Sequence, residues 1–143
     1  MARRMPQPPS PSFMTASLLV AAGGALGSWL RFCVGRVWVL AIGPVKAATF
    51  PWGTLSVNVV GSVAMGLLAG WLARSGGVQG EATRLLLGVG VLGGFTTFSS
   101  FSLDVVSMLQ RGQSGASLIY LAVSLAAGLA GLWLGLQGMR AAV

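Results

Sequence analysis

Four apolar runs follow one another along this chain, each long enough to cross a lipid bilayer as a helix. They cover residues 13–30, 52–73, 85–110 and 114–137. A hydrocarbon core about 30 Å thick takes about 20 helical residues at 1.5 Å each. A spanning strand would need only about ten residues in strict alternation, a pattern these runs do not show. With no water to pair backbone groups inside the core, the helix satisfies them all within the segment. Composition agrees: 8% of the 143 residues are charged and 55% hydrophobic, with a mean hydropathy of +0.82. Soluble domains carry roughly 25% charged residues. The expected fold is therefore an all-α multi-pass membrane protein of four transmembrane helices with lipid as its solvent.

The segments between the runs are short. Residues 1–12, MARRMPQPPSPS, are rich in Arg and Pro and lack apolar periodicity, so a disordered basic tail is expected ahead of a transmembrane domain at 13–140. No small-residue cleavage site follows the first run, which points to a retained span rather than a signal peptide. Residues 32–50 are apolar but contain Arg36, Gly43, Pro44 and Lys46, and read as an extension of helix 1 followed by an interfacial connection. Trp29, Trp52, Trp71 and Trp133 fall near helix ends, where amphipathic rings favour the headgroup layer. Glycines recur four apart in every span: Gly23 and Gly27, Gly66 and Gly70, Gly90 and Gly94, Gly131 and Gly135. Such pairs let helix backbones approach closely and favour a tight bundle.

Several function classes drop out. The net charge is +7, nine basic residues against Glu81 and Asp104, but the basic residues stand singly between apolar runs. Nucleic acid calls for a clustered stripe; headgroup anchoring explains isolated cations better. With no His and only Cys33, zinc and iron sites, a disulfide framework and a nucleophile–base pair are not assembled, and no enzyme is expected. Residues 88–93 spell G-x-G-x-x-G, yet a dinucleotide site needs a preceding strand, and here the motif lies inside a span.

The third run carries the unusual chemistry. At its centre Gly93 and Gly94 precede Phe95, Thr96, Thr97, Phe98, Ser99, Ser100 and Phe101. Arg84 and Arg111 flank the run almost symmetrically, so this cluster falls near the bilayer midplane. Paired glycines loosen a helix, and hydroxyls can re-satisfy the freed backbone groups. A break would expose carbonyl oxygens, which suit a hard cation such as sodium. An intact helix using its glycines for packing is the other reading. Phe98 and Phe101, three apart, share a helical face. Their ring edges carry positive potential and could touch an anion without trapping it; otherwise both rings face lipid. Asn58 lies inside the second span, where an amide usually turns to the bundle interior, and Tyr120 and Ser124 share a face of the fourth. Asp104, the one acidic residue well inside a span, could relay protons or pair with a neighbour.

Orientation is nearly balanced. One side of the membrane receives Arg3, Arg4, Arg74, Arg84 and Arg140, the other Arg31, Arg36, Lys46 and Arg111, five against four. The positive-inside rule needs an imbalance, so insertion in both directions, and pairing with an inverted copy, is expected.

Three stretches together, GGFTTFSSF in helix 3, GTLSVNVVGS around Asn58 and GGALGSWLRF in helix 1, resemble the Fluc (CrcB) fluoride channels over residues 13–138. That resemblance implies passive, fluoride-selective export through an antiparallel, dual-topology homodimer with two parallel pores and helix 3 broken at mid-membrane. It implies a structural sodium ion at the dimer centre, held by the carbonyls of Gly93 and Thr96 of both chains. Phe98, Phe101 and Asn58 would line the pores, Ser99, Ser100, Tyr120 and Ser124 would supply polar contacts, and Arg31 would lie at a vestibule. Ser100 stands where many members have Thr, and Gly128 lacks a hydroxyl that some members carry. A four-helix antiporter, the rival class, needs a carboxylate in its substrate chamber, and helix 1 has none.

Overall fold

The computed structural model describes residues 11–75 and 78–141. The Arg/Pro-rich tail thus lies, apart from Pro11 and Ser12, outside the described residues. Ser12 caps the first helix, its hydroxyl accepting from Thr15 N at 3.2 Å. This helix, α1 (Phe13–Ile42), continues well past Arg31 and Arg36 as one 30-residue element and stops at Gly43, whose φ of 82° favours glycine. Helix α2 (Pro44–Thr49) has proline in its first turn, where the missing N–H costs nothing, and leads to α3 (Trp52–Ser75). Residues 32–50 thus form the helix extension and connection that their composition suggested.

The third span is assembled from pieces. Helix α4 (Val78–Thr83) leads into a π-helical segment (Arg84–Leu92), then α5 (Gly93–Phe95). Thr96 and Thr97 adopt extended backbone, with ψ of 160° and 120°, before α6 (Phe98–Gln110) begins. A turn at Gly112, with φ of 74°, delivers the chain to α7 (Ser114–Ala141). Among the described residues four helical stretches are long and apolar enough to span a membrane: Phe13–Ile42, Trp52–Arg74, Gly80–Gln110 and Ser114–Ala141. The π-helical turns have no signature in the sequence. Their i→i+5 bonding is rare and clusters at functional sites, and G-x-G-x-x-G falls in and just beyond this segment, far from any phosphate loop.

The bundle consists of two close helix pairs. Helix α1 packs on the π segment and α5, while α3 packs on α7. Glycine makes both contacts possible. A Cβ on Gly27 would collide with the Val91 carbonyl oxygen and sit 2.8 Å from Phe95 N. At the other seam, a Cβ on Gly135 would meet the Val63 carbonyl oxygen and lie 3.1 Å from the Cα of Gly66. Between helices in lipid there is little hydrophobic gain, so this close van der Waals contact is what holds them. Leu18, Phe32, Leu118, Leu129 and Leu134 remain exposed on the outside, the arrangement of a surface that meets acyl chains. Only a small core, Val57, Phe101, Met108 and Tyr120, is buried among the described large apolar side chains.

Candidate functional site

The interruption of the third span leaves backbone groups without helical partners, and the surrounding side chains take them up. The amide of Asn58 behaves as a detached peptide unit. Its Nδ2 donates to the Thr97 carbonyl at 3.1 Å, and its Oδ1 accepts from Thr97 N at 2.8 Å. Thr97 then caps α6: its Oγ1 accepts from Ser100 N at 3.2 Å. The Thr97 hydroxyl also donates to Ser100 Oγ at 3.1 Å and lies 3.3 Å from Ser99 Oγ. On the other side of the gap, Thr96 N and Thr96 Oγ1 both donate to the Leu92 carbonyl, at 3.0 and 2.9 Å.

The break takes the helical donor from the carbonyls of Gly93 through Thr96. In an unbroken helix Thr97 N would donate to the Gly93 carbonyl, and Ser100 N to the Thr96 carbonyl. Both donors are diverted, one to Asn58 and one to the Thr97 hydroxyl. Gly93 is exposed and Thr96 partly so. Carbonyl oxygens freed in this way suit a hard cation. Among the described residues no group of three or more His, Cys, Asp or Glu side chains is placed to hold a metal.

Two cavities meet at Thr97. The first, about 520 Å³, is lined by Arg31, Thr54, Thr97, Ser100, Asp104, Ser107 and Arg111, together with apolar groups such as Trp38 and Trp52. The second, about 300 Å³, is lined by Asn58, Ser62, Thr96, Thr97, Phe98, Phe101, Ser124 and Gly128, and ends on Met65 and Leu132. Only one Asn58 N–H is needed for the Thr97 carbonyl, so the second N–H remains for the cavity that Asn58 lines. Ser124 Oγ is buried and has no hydrogen-bond partner.

A continuous ladder of rings supports the junction. Trp38 stacks on Trp52 at 5.6 Å between centroids, Trp52 touches Phe50 at 4.5 Å, and Phe50 meets Tyr120 edge-on at 5.5 Å. Tyr120 contacts Phe101 at 5.3 Å, and Phe101 contacts Phe98 at 5.9 Å with planes tilted by 43°. Each spacing lies in the attractive range for aromatic pairs. The far ring of the ladder is tied down as well, Trp38 Nε1 donating to Ser56 Oγ at 3.0 Å.

The candidates chosen from sequence occupy distinct places. Asn58, Thr96, Phe98, Phe101 and Ser124 line the second cavity, and Arg31 and Ser100 line the first. Ser99 and Gly93 line neither, Ser99 being exposed beside the Thr97 hydroxyl. Tyr120 is fully buried and donates to Asp104 Oδ2 at 3.3 Å. Phe98 and Phe101 do share the cavity, but their surroundings differ: Phe101 is 7% exposed and Phe98 78%. Thr97, the residue common to both cavities, was not among the chosen residues, nor were Asp104, Thr54 and Ser62. Ser62 carried a legible signal, since it follows Asn58 by four residues and so shares its face.

Four apolar spans, a segmented third span and cavities with polar lining groups on both sides of the gap define a small multi-pass helical membrane protein. The family model described as "CrcB-like protein, Camphor Resistance (CrcB)" matches residues 18–136, and the chain belongs to this family. Three relatives named "Fluoride-specific ion channel FluC" illustrate the similarity. The Novosphingobium aromaticivorans protein is 58% identical, over 89% of this chain and 98% of its own length. That of Caulobacter vibrioides is 50% identical, over 89% and 97% respectively. That of Rhizobium etli is 48% identical, over 91% of this chain and all of its own length.

Proposed function

We propose that this chain is a fluoride-selective channel that lets fluoride leave the cell down its gradient, lowering cytoplasmic fluoride. The observation that carries this reading is the pair of polar cavities joined at Thr97, in a chain similar over nearly its whole length to relatives named for fluoride conduction. Fluoride is small and strongly hydrated, so a pore has to replace its water with many weak donors. Arg31 and Arg111 outnumber the carboxylate of Asp104 in the first cavity and leave it a net positive charge that attracts an anion. The Ser100 hydroxyl, itself accepting from Thr97 Oγ1, receives it next, followed by the spare Asn58 N–H, the Phe98 and Phe101 ring edges and Ser124. None is a full positive charge at the narrow point, which matters because conduction needs sites weak enough to leave. No bond is made or broken, so the protein works as a channel and not as an enzyme.

The working unit in this reading is a homodimer of inverted copies, with the gap at Thr96–Thr97 near the membrane midplane. Three features support it: the even five-to-four split of basic residues, the exposure of Phe98, and the exposure of Gly93 beside the gap. A lone chain leaves one wall of its second cavity open at Phe98, and a second chain would close it. Of the released carbonyls, those of Gly93 and Thr96 are the groups that would hold a sodium ion, two oxygens from each chain. The ion would supply positive charge that pins the segmented helices together, a structural role.

Liposomes containing the purified protein, loaded with fluoride and monitored by a fluoride electrode, test the reading. Rapid release of fluoride and none of chloride is the expected result. Equal chloride flux defeats the selectivity, and no flux of either ion defeats the channel.

A further inference from the structure

Serines on apolar helices ordinarily return their hydroxyl to the carbonyl four residues back, because an unpaired donor in a medium without water is costly. Two serines here do so: Ser17 donates to the Phe13 carbonyl at 2.8 Å and Ser102 to the Phe98 carbonyl at 3.0 Å. Ser124 and Ser62 do not. Ser124 Oγ is buried without a partner, and Ser62 makes no hydrogen bond among the described residues. Both line the second cavity, from opposite helices. Asn58 and Ser62 stand one turn apart on α3, Ser124 and Gly128 one turn apart on α7. The cavity wall therefore has two rungs. On the first, Asn58 and Ser124 both offer polar groups; on the second, Ser62 alone does. A Cβ built on Gly128 would lie 3.5 Å from Ser62 Oγ, so the serine hydroxyl borders the space that a larger residue at 128 would enter. Past this rung the lining is Met65 and Leu132, both apolar.

We infer that Ser62 donates a hydrogen bond to the permeating anion as the last polar group of the second cavity, supplying from α3 the hydroxyl that Gly128 cannot supply from α7. The inference rests on the channel reading above. A bare acceptor such as fluoride satisfies the free Ser124 and Ser62 hydroxyls in turn, each giving the ion a hydrogen bond that water gave it outside. Without Ser62 the ion leaves the Asn58–Ser124 rung for a wall with no donor, and the barrier rises there.

The test is fluoride efflux from liposomes holding the full-length protein, its Ser62→Ala variant and the double variant Ser62→Ala/Gly128→Ser. The single change should slow efflux about ten-fold, on the scale of one lost hydrogen bond to an ion. The double variant should recover most of the parent rate, because ordinary van der Waals distance to Ser62 leaves room for the new side chain. If Ser62→Ala is unstable, Ser62→Thr against the isosteric Ser62→Val makes the same comparison, with only the threonine conducting near the parent rate. A conducting parent matched by Ser62→Ala or Ser62→Val overturns the inference alone, and a folded double variant that stays slow overturns the exchange of roles with position 128. A parent that releases no fluoride sinks the channel reading, and the inference with it.

Discussion

Asn58 shows how much one side chain can carry in a lipid-solvated protein. Sequence placed it in a span and turned it inward; the structure spends most of its amide on the backbone of Thr97. Asn58→Asp keeps an acceptor for Thr97 N but sets a carboxylate oxygen against the Thr97 carbonyl, at the present 3.1 Å contact. The variant is expected to lose fluoride flux and to melt earlier in detergent, since a buried unsatisfied acceptor costs about 1–3 kcal/mol. Parent-like flux in Asn58→Asp would mean the amide is not needed at the gap. The two phenylalanines are separable at this scale too. Phe98→Ile and Phe101→Ile both remove a ring quadrupole and should both cut flux severely if ring edges help replace the water of fluoride. Only Phe101→Ile should also destabilise the chain, by about 1–3 kcal/mol, because only Phe101 is enclosed, between Tyr120 and Phe98. Folded Ile variants that conduct at the parent rate would reduce both rings to packing.

The third span is the most irregular element, and its irregularity has a local cause. Gly93 and Gly94 stay helical, the chain turns extended at Thr96 and Thr97, Thr97 caps a new start, and Asn58 absorbs the groups left over. The π-helical turns before it press glycine backbone against α1, where a single methyl has no room. Gly27→Ala drives a Cβ into the Val91 carbonyl and the Phe95 amide, backbone atoms that cannot swing aside. Overpacking of this kind costs about 1–3 kcal/mol. Thermal unfolding in detergent should register that loss, whereas Gly24→Ala, whose Cβ meets nothing within 4 Å, should leave the midpoint unchanged. Equal midpoints for the two variants would show that the α1 seam is looser than it looks.

For the whole molecule, the evenness of the basic residues is the decisive property, because topology responds to charge differences between the two sides. Tags at either terminus, labelled from outside intact cells, should each be reached in about half the molecules, a strict balance being what the rule leaves when neither side prevails. Uniform labelling of one terminus would exclude the inverted dimer. The released carbonyls add a second expectation. Replacing sodium with a bulky organic cation should lower the melting midpoint of the purified dimer and favour its dissociation, and readdition of sodium should reverse both. Insensitivity to sodium would leave Gly93 and Thr96 without the proposed ion.

The sequence alone was enough for the number of apolar spans and for the continuation of helix 1 into residues 32–50, because both follow from length and hydropathy. It did not reveal which helices pair, that Phe101 is enclosed while Phe98 is not, or that Thr97 joins the two cavities. The reason is that lipid is as apolar as a helix interface. In water, hydrophobic periodicity marks the buried face of a helix; here both faces are apolar, and that signal vanishes. Which face is buried is then decided by shape, by whether two glycine backbones can meet at Gly66 and Gly135 or a carbonyl can approach Gly27. Shape exists only once the chain has folded, and the same holds for the Asn58–Thr97 pair, whose partners lie 39 residues apart.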